Sequence, residues 1–137
     1  MAQDTGYDFS AGPTVTLLSA DVTDGASSSF TSAVDFGTPT PLGFGYEIIL
    51  TCGTGADGTV TLEVAWSHDN TTFSDADNTQ VVDYIDCTAS SDVEKVGSIV
   101  VKARYAKFRI TNDSGGTIDG TASNTALTLW DIFADQA

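Results

Sequence analysis

The sequence predicts an all-β fold: an antiparallel, two-sheet β-sandwich of about eight strands, jelly-roll-like in arrangement. Three observations predict it. Residues that favour strands and turns are abundant, with 20 Thr, 13 Ser and 13 Gly against 3 Glu and 7 Leu. Short segments alternate apolar and polar residues, and turns rich in Gly or Pro separate them. No segment has a helical period. The 137 residues are enough for one domain.

The first four predicted strands are 15–22, 29–36, 44–52 and 59–67. The first ends at the Asp24-Gly25 turn, and the second ends at a loop with two prolines. The third and fourth alternate most clearly, so one face of each is expected to be core. The core residues expected from them are Phe44, Tyr46, Ile48, Leu50, Val60, Leu62, Val64 and Trp66. The Gly-rich turn between these two strands predicts a hairpin.

The last four predicted strands are 79–87, 96–101, 104–112 and 125–133. The apolar parity changes at Tyr105–Ala106, which predicts a bulge, a corner or a strand break. The last strand carries Trp130, which fits either the core or an interface. Residues 1–12 are predicted to be an N-terminal arm, flexible or bound to a partner, and 13–137 the sandwich domain.

Charge excludes several classes of partner. Nineteen acidic residues face five basic ones, and the net charge is −14. Nucleic acid and anionic membrane surfaces both require positive charge on the protein, so neither is an expected partner. The first residues show no basic and apolar signal pattern, and no apolar run is long enough to span a bilayer. We therefore expect a soluble protein with no export signal.

All five basic residues lie between Lys95 and Arg109. The parity change predicts that four of them face outward and share an exposed edge; these are Lys102, Arg104, Lys107 and Arg109. Such cations have two interpretations. They protect an edge strand against aggregation, or they dock the protein onto an acidic surface, either a sister subunit or a larger partner.

Few residues are suited to chemistry. His68 is the single histidine and is adjacent to Ser67 and Asp69, and neighbours on a strand point apart, which is a poor arrangement for a triad. We expect no enzyme activity and no cofactor. The loop from Asp69 to Asn78 is rich in the oxygen ligands that calcium takes, but it lacks the EF-hand spacing. It either binds calcium or is solvated, and we expect a solvated loop without metal. Phe73 in this loop is either a stacking platform for saccharide or a plug that packs the loop down.

The two cysteines, Cys52 and Cys87, each follow a predicted strand. They form a disulfide if the two strand ends lie side by side; otherwise they are two half-buried thiols, the interpretation we favour. Their spacing fits no zinc site, which would need four ligands.

Two segments carry a family resemblance: GYEIILTCGTGADGTVTLEVAWSHDNTTFSD (45–75) and RYAKFRITN (104–112). The first is a strand, a Gly-rich turn and a strand that ends in a Ser-x-Asp-(Gly/Asn)-x-x-Phe/Trp loop. The second is an RY-x-R/K-hydrophobic strand. Together they resemble small β-sandwich or jelly-roll virion proteins of tailed bacteriophages. The Asp69-Asn70 pair departs from the more usual Asp-Gly.

The resemblance implies a phage structural protein that decorates or cements the outer surface of the capsid. The partners it implies are the major capsid protein and further copies of the chain, as a homotrimer. Tyr7 and Phe9 are the expected apolar anchors of the arm, and the four cations are the second candidate contact. Two alternatives remain. One is a tail or fibre domain that binds host glycan, which predicts an exposed Phe73 or Trp130. The other is a secreted β-sandwich adhesin or enzyme accessory domain, which predicts a signal or a fused partner domain.

Overall fold

In the part of the chain that the structure describes, eight strands form two antiparallel sheets that pack face to face. The computed structural model describes residues 6–121 and 125–134. The strands are β1 (Tyr7–Val15), β2 (Val34–Asp35), β3 (Gly43–Thr51), β4 (Thr59–Ser67), β5 (Gln80–Asp86), β6 (Asp92–Val100), β7 (Tyr105–Asp113) and β8 (Ala126–Ala134). Within these two ranges the helical structure is a single 3-10 turn, Ala76–Asn78, and no helix has the length and apolar character needed to cross a membrane.

The strand order is that of a jelly roll. One sheet has the order β1-β8-β3-β6 and the other β2-β7-β4-β5. The pairs β1–β8, β2–β7, β3–β6 and β4–β5 are all antiparallel, as if one long hairpin had been rolled up. The predicted fold class is confirmed. We call the two sheets the β1 sheet and the β2 sheet.

The core lies between the sheets and follows the predicted alternation. The residues expected to face inward from β3 and β4 are buried, except that Trp66 is partly exposed. β7 and β8 add Phe108, Ile110, Leu127 and Leu129, all 0% exposed. At one end of the core the Phe44 ring stacks on Phe36 at 5.4 Å and meets Phe108 edge-on at 5.6 Å. Closely packed rings of this kind add to the stabilisation from apolar burial.

The first two predicted strands differ from the structure. β1 is a regularly paired strand, whereas residues 16–33, which hold most of both predicted strands, are irregular apart from single bridges at Val22 and Ser27. This segment still lies along β7, since Ser28 N–H donates to Ile110 O and Thr31 N–H donates to Phe108 O, both at 2.8 Å. The return bonds go to side chains: Ser28 Oγ and Thr31 Oγ1 accept from the N–H groups of Ile110 and Phe108. Hydroxyls replace backbone carbonyls here, so a regular ladder does not form.

The predicted hairpin of the third and fourth strands is wrong. β3 lies in the β1 sheet and β4 lies in the β2 sheet, so the Gly-rich turn crosses from one sheet to the other. Its backbone bonds go to another loop: Gly53 N–H donates to Thr117 O, and Gly58 N–H donates to Ser114 O, both at 2.8 Å. The backbone N–H groups of Gly53 and Gly58 are thus hydrogen-bonded to a neighbouring loop, and the turn does not close a hairpin.

The predicted break at the parity change is confirmed. β6 ends at Val100 and β7 begins at Tyr105. The four intervening residues carry the chain from the edge of the β1 sheet to the interior of the β2 sheet, where β7 lies between β2 and β4.

Candidate protein-binding surfaces

The outer side of the β1 sheet carries a groove lined by apolar and small residues. We call this groove the apolar face; its residues are Tyr7, Phe9, Leu42, Gly43, Ser98, Ile99, Val100 and Ile132. Four of them expose more than half of their surface: Tyr7 65%, Phe9 66%, Leu42 54% and Val100 67%. None of the eight is charged.

Strand register explains the shape of the apolar face. Phe9 pairs with Ile132, Ile132 pairs with Gly43, and Gly43 pairs with Val100, which makes one row across all four strands. Residues paired across antiparallel strands point to the same side of a sheet. Phe9 and Val100 therefore stand at the two edges of this row, Ile132 lies on β8, and Gly43 leaves a low position on β3. In the next row, Ala11, Trp130, Gly45 and Ser98, a glycine again lies on β3, but the edge residues are small and the large side chain stands on β8.

The expected N-terminal arm is corrected from Tyr7 onward. Tyr7 and Phe9 were expected as anchors on a loose segment, but they lie on β1, which pairs with β8 over Tyr7–Val15 with one irregularity. The rest of the arm, residues 1–5, lies outside the described residues. Both rings stay exposed because β1 is an edge strand and they point away from the core. A fixed strand presents them without the ordering entropy that a loose arm would lose on binding.

The acidic residues on this side of the β1 sheet lie away from the apolar face. Glu47, Glu94 and Asp92 occupy rows farther along β3 and β6, toward the opposite end of the sheet. Lys102 follows Val100 by two residues, so along β6 and beyond, the charge next to the apolar face is positive. One side of the sheet is thus divided into an uncharged half and an acidic half.

The predicted strip of four outward cations is only partly present. Arg104 forms a two-pronged ion pair with Asp35 at 2.8 and 3.0 Å. Arg109 forms an ion pair with Glu63 at 3.2 Å and is only 14% exposed. The strip does not lie on an edge, because β7 is an interior strand. Two of the four cations are therefore already neutralised within the fold.

The other two cations, Lys102 and Lys107, form no ion pair among residues 6–121 and 125–134. Lys107 Nζ lies 4.3 Å from the centre of the Phe73 ring. Phe73, His68 and Lys102 line one shallow hollow together with Trp66. We call Lys102 and Lys107 the cationic end. Phe73 is half-buried beneath Lys107, so that face of its ring is not open to a saccharide.

Ser67, His68 and Asp69 do not form a relay. Ser67 Oγ donates to Asp69 Oδ1 at 3.0 Å, not to His68. Asp69 Oδ1 also accepts the backbone N–H groups of Thr72 and Thr71, and these hydrogen bonds lower the pKa of Asp69. The carboxylate therefore serves to shape the turn that follows β4.

The carboxylate of Asp75 also serves the structure of the 68–78 loop. Asp75 Oδ1 accepts from Asp77 N–H and from Asn78 Nδ2, at 3.2 and 2.6 Å, and so caps the 3-10 turn. Across 6–121 and 125–134, no three His, Cys, Asp or Glu side chains group closely enough to hold a metal ion.

Two buried polar networks hold the strands of the sandwich in place. Burial favours the neutral form of Glu63, but hydrogen bonds from Thr111, Thr79 and Arg109 outweigh it and lower the pKa of Glu63. This network joins β4, β7 and the start of β5. It explains why Arg109 is not available to a partner.

The second network joins the two sheets. Tyr46 Oη donates to Asp83 Oδ2 at 2.5 Å, and Lys95 Nζ lies 2.8 Å from Asp83 Oδ1. Burial favours the neutral form of Asp83, but hydrogen bonds from Lys95, Tyr46 and Tyr84 N–H outweigh it and lower the pKa of Asp83. Burial, followed by the hydrogen bond to Asp83, raises the pKa of Tyr46, so the phenol stays a donor.

Cys52 and Cys87 are free thiols, and both are buried. Burial is the main reason that the pKa of Cys87 is raised to about 12; a hydrogen bond with Cys52 and the charge of Asp86 add to it. The two free thiols lie just past the ends of β3 and β5.

Sequence reasoning found Tyr7 and Phe9 but missed the rest of the apolar face. Val96, Ser98 and Val100 alternate on the outward side of β6, and Gly43 and Gly45 alternate on β3. That spacing is visible in the sequence. Its meaning depends on knowing that β3 lies between β6 and β8, which requires the long-range pairing.

Sequence comparison gives no relatives: no protein-family model and no curated protein matches the chain. The fold is similar to part of the IBDV T13 viral particle, with a TM-score of 0.55 and 11% identity over 98% of this chain and 33% of that one. Murine APRIL has a TM-score of 0.51 and 9% identity over 90% of this chain and 99% of that one. The PBSX exported protein XepA has a TM-score of 0.46 and 15% identity over 95% of this chain and 38% of that one. The chain thus spans about a third of the length of the IBDV and XepA chains.

Proposed function

We propose that this protein is a non-enzymatic structural component of a virus particle. It binds the major capsid protein on the outer surface of the capsid and associates with its own copies, with a trimer as the expected oligomer. One observation carries the proposal: four of the seven large exposed apolar side chains among the described residues gather on the uncharged apolar face of a strongly acidic sandwich. Soluble monomers rarely leave such a surface uncovered.

The fold is compatible with this role. A sandwich of the same kind occurs in the IBDV viral particle. The segments 45–75 and 104–112, which resemble small virion proteins of tailed bacteriophages, narrow the proposal to decoration of a phage head. Buried Cys52 and Cys87, which form no disulfide, suit assembly in the reducing host cytoplasm.

Net charge favours the outside of the capsid. A body with a net charge of −14 is repelled by packaged DNA, which is itself dense in negative charge. An outer position keeps the two apart and leaves the acidic surface in solvent. High ionic strength would also relieve the repulsion among neighbouring copies.

The cationic end is the proposed contact with the capsid protein. Lys102 and Lys107 are the cations of the predicted strip that remain without an acidic partner in the described chain. They are suited to an acidic region of the shell, where opposite charge speeds association and fixes register more than it adds affinity. Several copies, each held weakly, would bind strongly together through avidity.

The direct test is to locate the protein in purified virus particles. Mass spectrometry of separated heads and tails, followed by a cryo-EM reconstruction, should find it on the outer surface of the head. Its absence from particles, or a position against the genome, would overturn the proposal.

A charge variant tests the cationic end. We expect Lys102→Gln with Lys107→Gln to lower capsid occupancy and to weaken the dependence of binding on salt. The control, Thr54→Glu with Thr88→Glu, makes the same change in net charge on exposed loops elsewhere. Equal occupancy of both variants would remove the cationic end from the proposal.

A tail or fibre domain that binds host glycan is the second candidate. It is favoured by Trp130, which lies half-buried on the outer side of the β1 sheet with its Cβ near Gly45. Indole rings on sheet surfaces offer stacking area to sugars. Titration of the protein with cell-surface saccharides, followed by tryptophan fluorescence, should show saturable quenching if this candidate is right and none if it is wrong.

A further inference from the structure

We propose that the apolar face is the surface through which copies of this chain bind one another, its occupant being the same region of a second copy. The inference rests on the proposed function in that self-association is part of it, and it adds the surface, the residues and the reason for the choice of partner. Its test does not require a capsid.

The apolar face exposes several large side chains to solvent. Single exposed apolar residues are ordinary on proteins, but a contiguous group marks an interaction site. Tyr7, Phe9, Leu42 and Val100 are contiguous around one groove and each is more than half exposed. Covering them would remove two aromatic rings and two aliphatic side chains from water, which favours association.

The shape of the apolar face is suited to a contact between identical subunits. The row Phe9, Ile132, Gly43 and Val100 crosses four strands, and neighbouring strands lie about 4.8 Å apart. The groove is therefore roughly 14 Å from edge to edge. Tyr7 and Phe9 form a ridge along its β1 side. A ridge and a groove on one surface are the two complementary parts that a contact between identical subunits needs.

The charge around the apolar face indicates that its partner is a second copy of this chain. Two bodies of net charge −14 repel each other, so they can meet only through a region without acidic residues. The apolar face is such a region, and Glu47, Glu94 and Asp92 stand away from it on the same side of the sheet. A basic partner would instead gain from acidic residues within the contact. The absence of acids here therefore favours a like-charged copy.

The experiment is sedimentation velocity of the full chain over a range of concentrations. Wild type should form an oligomer whose dissociation constant rises about tenfold or more in Tyr7→Ser with Val100→Ser. The matched control is Tyr84→Ser with Val81→Ser, which removes the same two residue types from exposed positions on β5, in the other sheet. The control should associate as wild type does. Circular dichroism shows whether both variants keep the fold.

Salt supplies a second readout. Raising salt from about 0.01 M to about 1 M shortens the screening length from ~30 to ~3 Å, so association of two acidic copies should strengthen. A contact with an oppositely charged partner would weaken instead. The proposal is overturned if wild type stays monomeric at every salt concentration, or if both double variants associate equally.

These results separate the two proposals. An oligomer that the Tyr7 and Val100 substitutions dissociate, in a protein absent from virus particles, supports the apolar face and removes the virion role. If the Tyr7 and Val100 variant keeps its oligomer but loses capsid binding, the apolar face takes the capsid protein, and self-association through it is refuted.

Discussion

Asp131 is a partly buried acid whose ionised form disfavours folding. It lies on β8, and its Oδ1 is buried with no hydrogen-bond partner among the described residues. Burial raises the pKa of Asp131. Glu63 and Asp83 are also partly buried, but each accepts several hydrogen bonds that lower its pKa. The difference among these acids is hydrogen bonding rather than burial.

We expect Asp131→Asn to stabilise the protein by roughly 0.5–1 kcal/mol at neutral pH, an amount that allows for partial exposure. A raised folded pKa means that the folded state disfavours the ionised acid. The disadvantage is therefore full above the folded pKa, and it disappears as the pH falls below the unfolded value of 3.8. Urea unfolding of both proteins at several pH values should show the two stabilities converging in acid.

Asp8→Asn is the matched control on the neighbouring strand, because Asp8 is exposed on β1. Exposed substitutions usually change stability by less than about 0.5 kcal/mol. An Asp131→Asn variant that is no more stable than wild type at neutral pH, or a gap that widens in acid, would show that the carboxylate has a partner in solution.

At the scale of elements, strands with strict alternation were predictable and those held by loops were not. β4 was predicted at its observed bounds, 59–67, and β3 and β5 were predicted to within one residue at each end. β1 was not predicted because its inward positions before Val15 are polar or small, so its sequence, YDFSAGPTV, alternates weakly. Its structure comes from pairing with β8, more than a hundred residues away in the chain.

The residues of the candidate surfaces also divide into those predictable from local sequence and those that depend on long-range pairing. The expectation that Tyr7 and Phe9 are exposed follows from local sequence, because each is isolated among polar residues. The ion pairs Arg104–Asp35 and Arg109–Glu63 depend on strand neighbours far apart in sequence. No local pattern could show that these two cations were already neutralised while Lys102 and Lys107 were not.

Deleting residues 1–12 should destabilise the sandwich by about 1–3 kcal/mol. The deletion removes most of β1 and leaves β8 as an unpaired edge, with Trp130 and Ile132 less covered. Thermal unfolding followed by circular dichroism measures the loss. A shorter deletion, 2–5, keeps every described β1–β8 pair and is the control. If the longer deletion unfolds at the wild-type temperature, β1 contributes nothing to the fold.

The whole molecule is dominated by its charge. Three ion pairs link basic to acidic side chains in the described chain, against a net charge of −14. Self-repulsion therefore opposes the compact state more than ion pairs favour it. Because salt screens repulsion among many exposed acids, its net effect on this protein should be stabilising.

We expect the midpoint of thermal unfolding to rise by several degrees between about 0.01 M and about 0.5 M sodium chloride. Calorimetry at a concentration below self-association checks this, so that binding of copies does not contribute. The control is a less negative variant, Asp57→Asn with Asp77→Asn. Its midpoint of thermal unfolding should rise less with salt, because there is less repulsion to screen. A midpoint that falls with salt would mean that the ion pairs outweigh the repulsion.

The pairing of the first strand with the last has a practical consequence for anyone who labels this protein. Tyr7 pairs with Ala134, so both ends of the described chain emerge side by side at one corner of the β1 sheet. Phe9 and Ile132 of the apolar face lie two residues farther along the same pair of strands. A bulky fluorescent group attached next to Tyr7 or Ala134 would crowd that corner, whereas one placed in the 87–91 turn, where Thr88 and Ser90 are exposed, would stand clear of it.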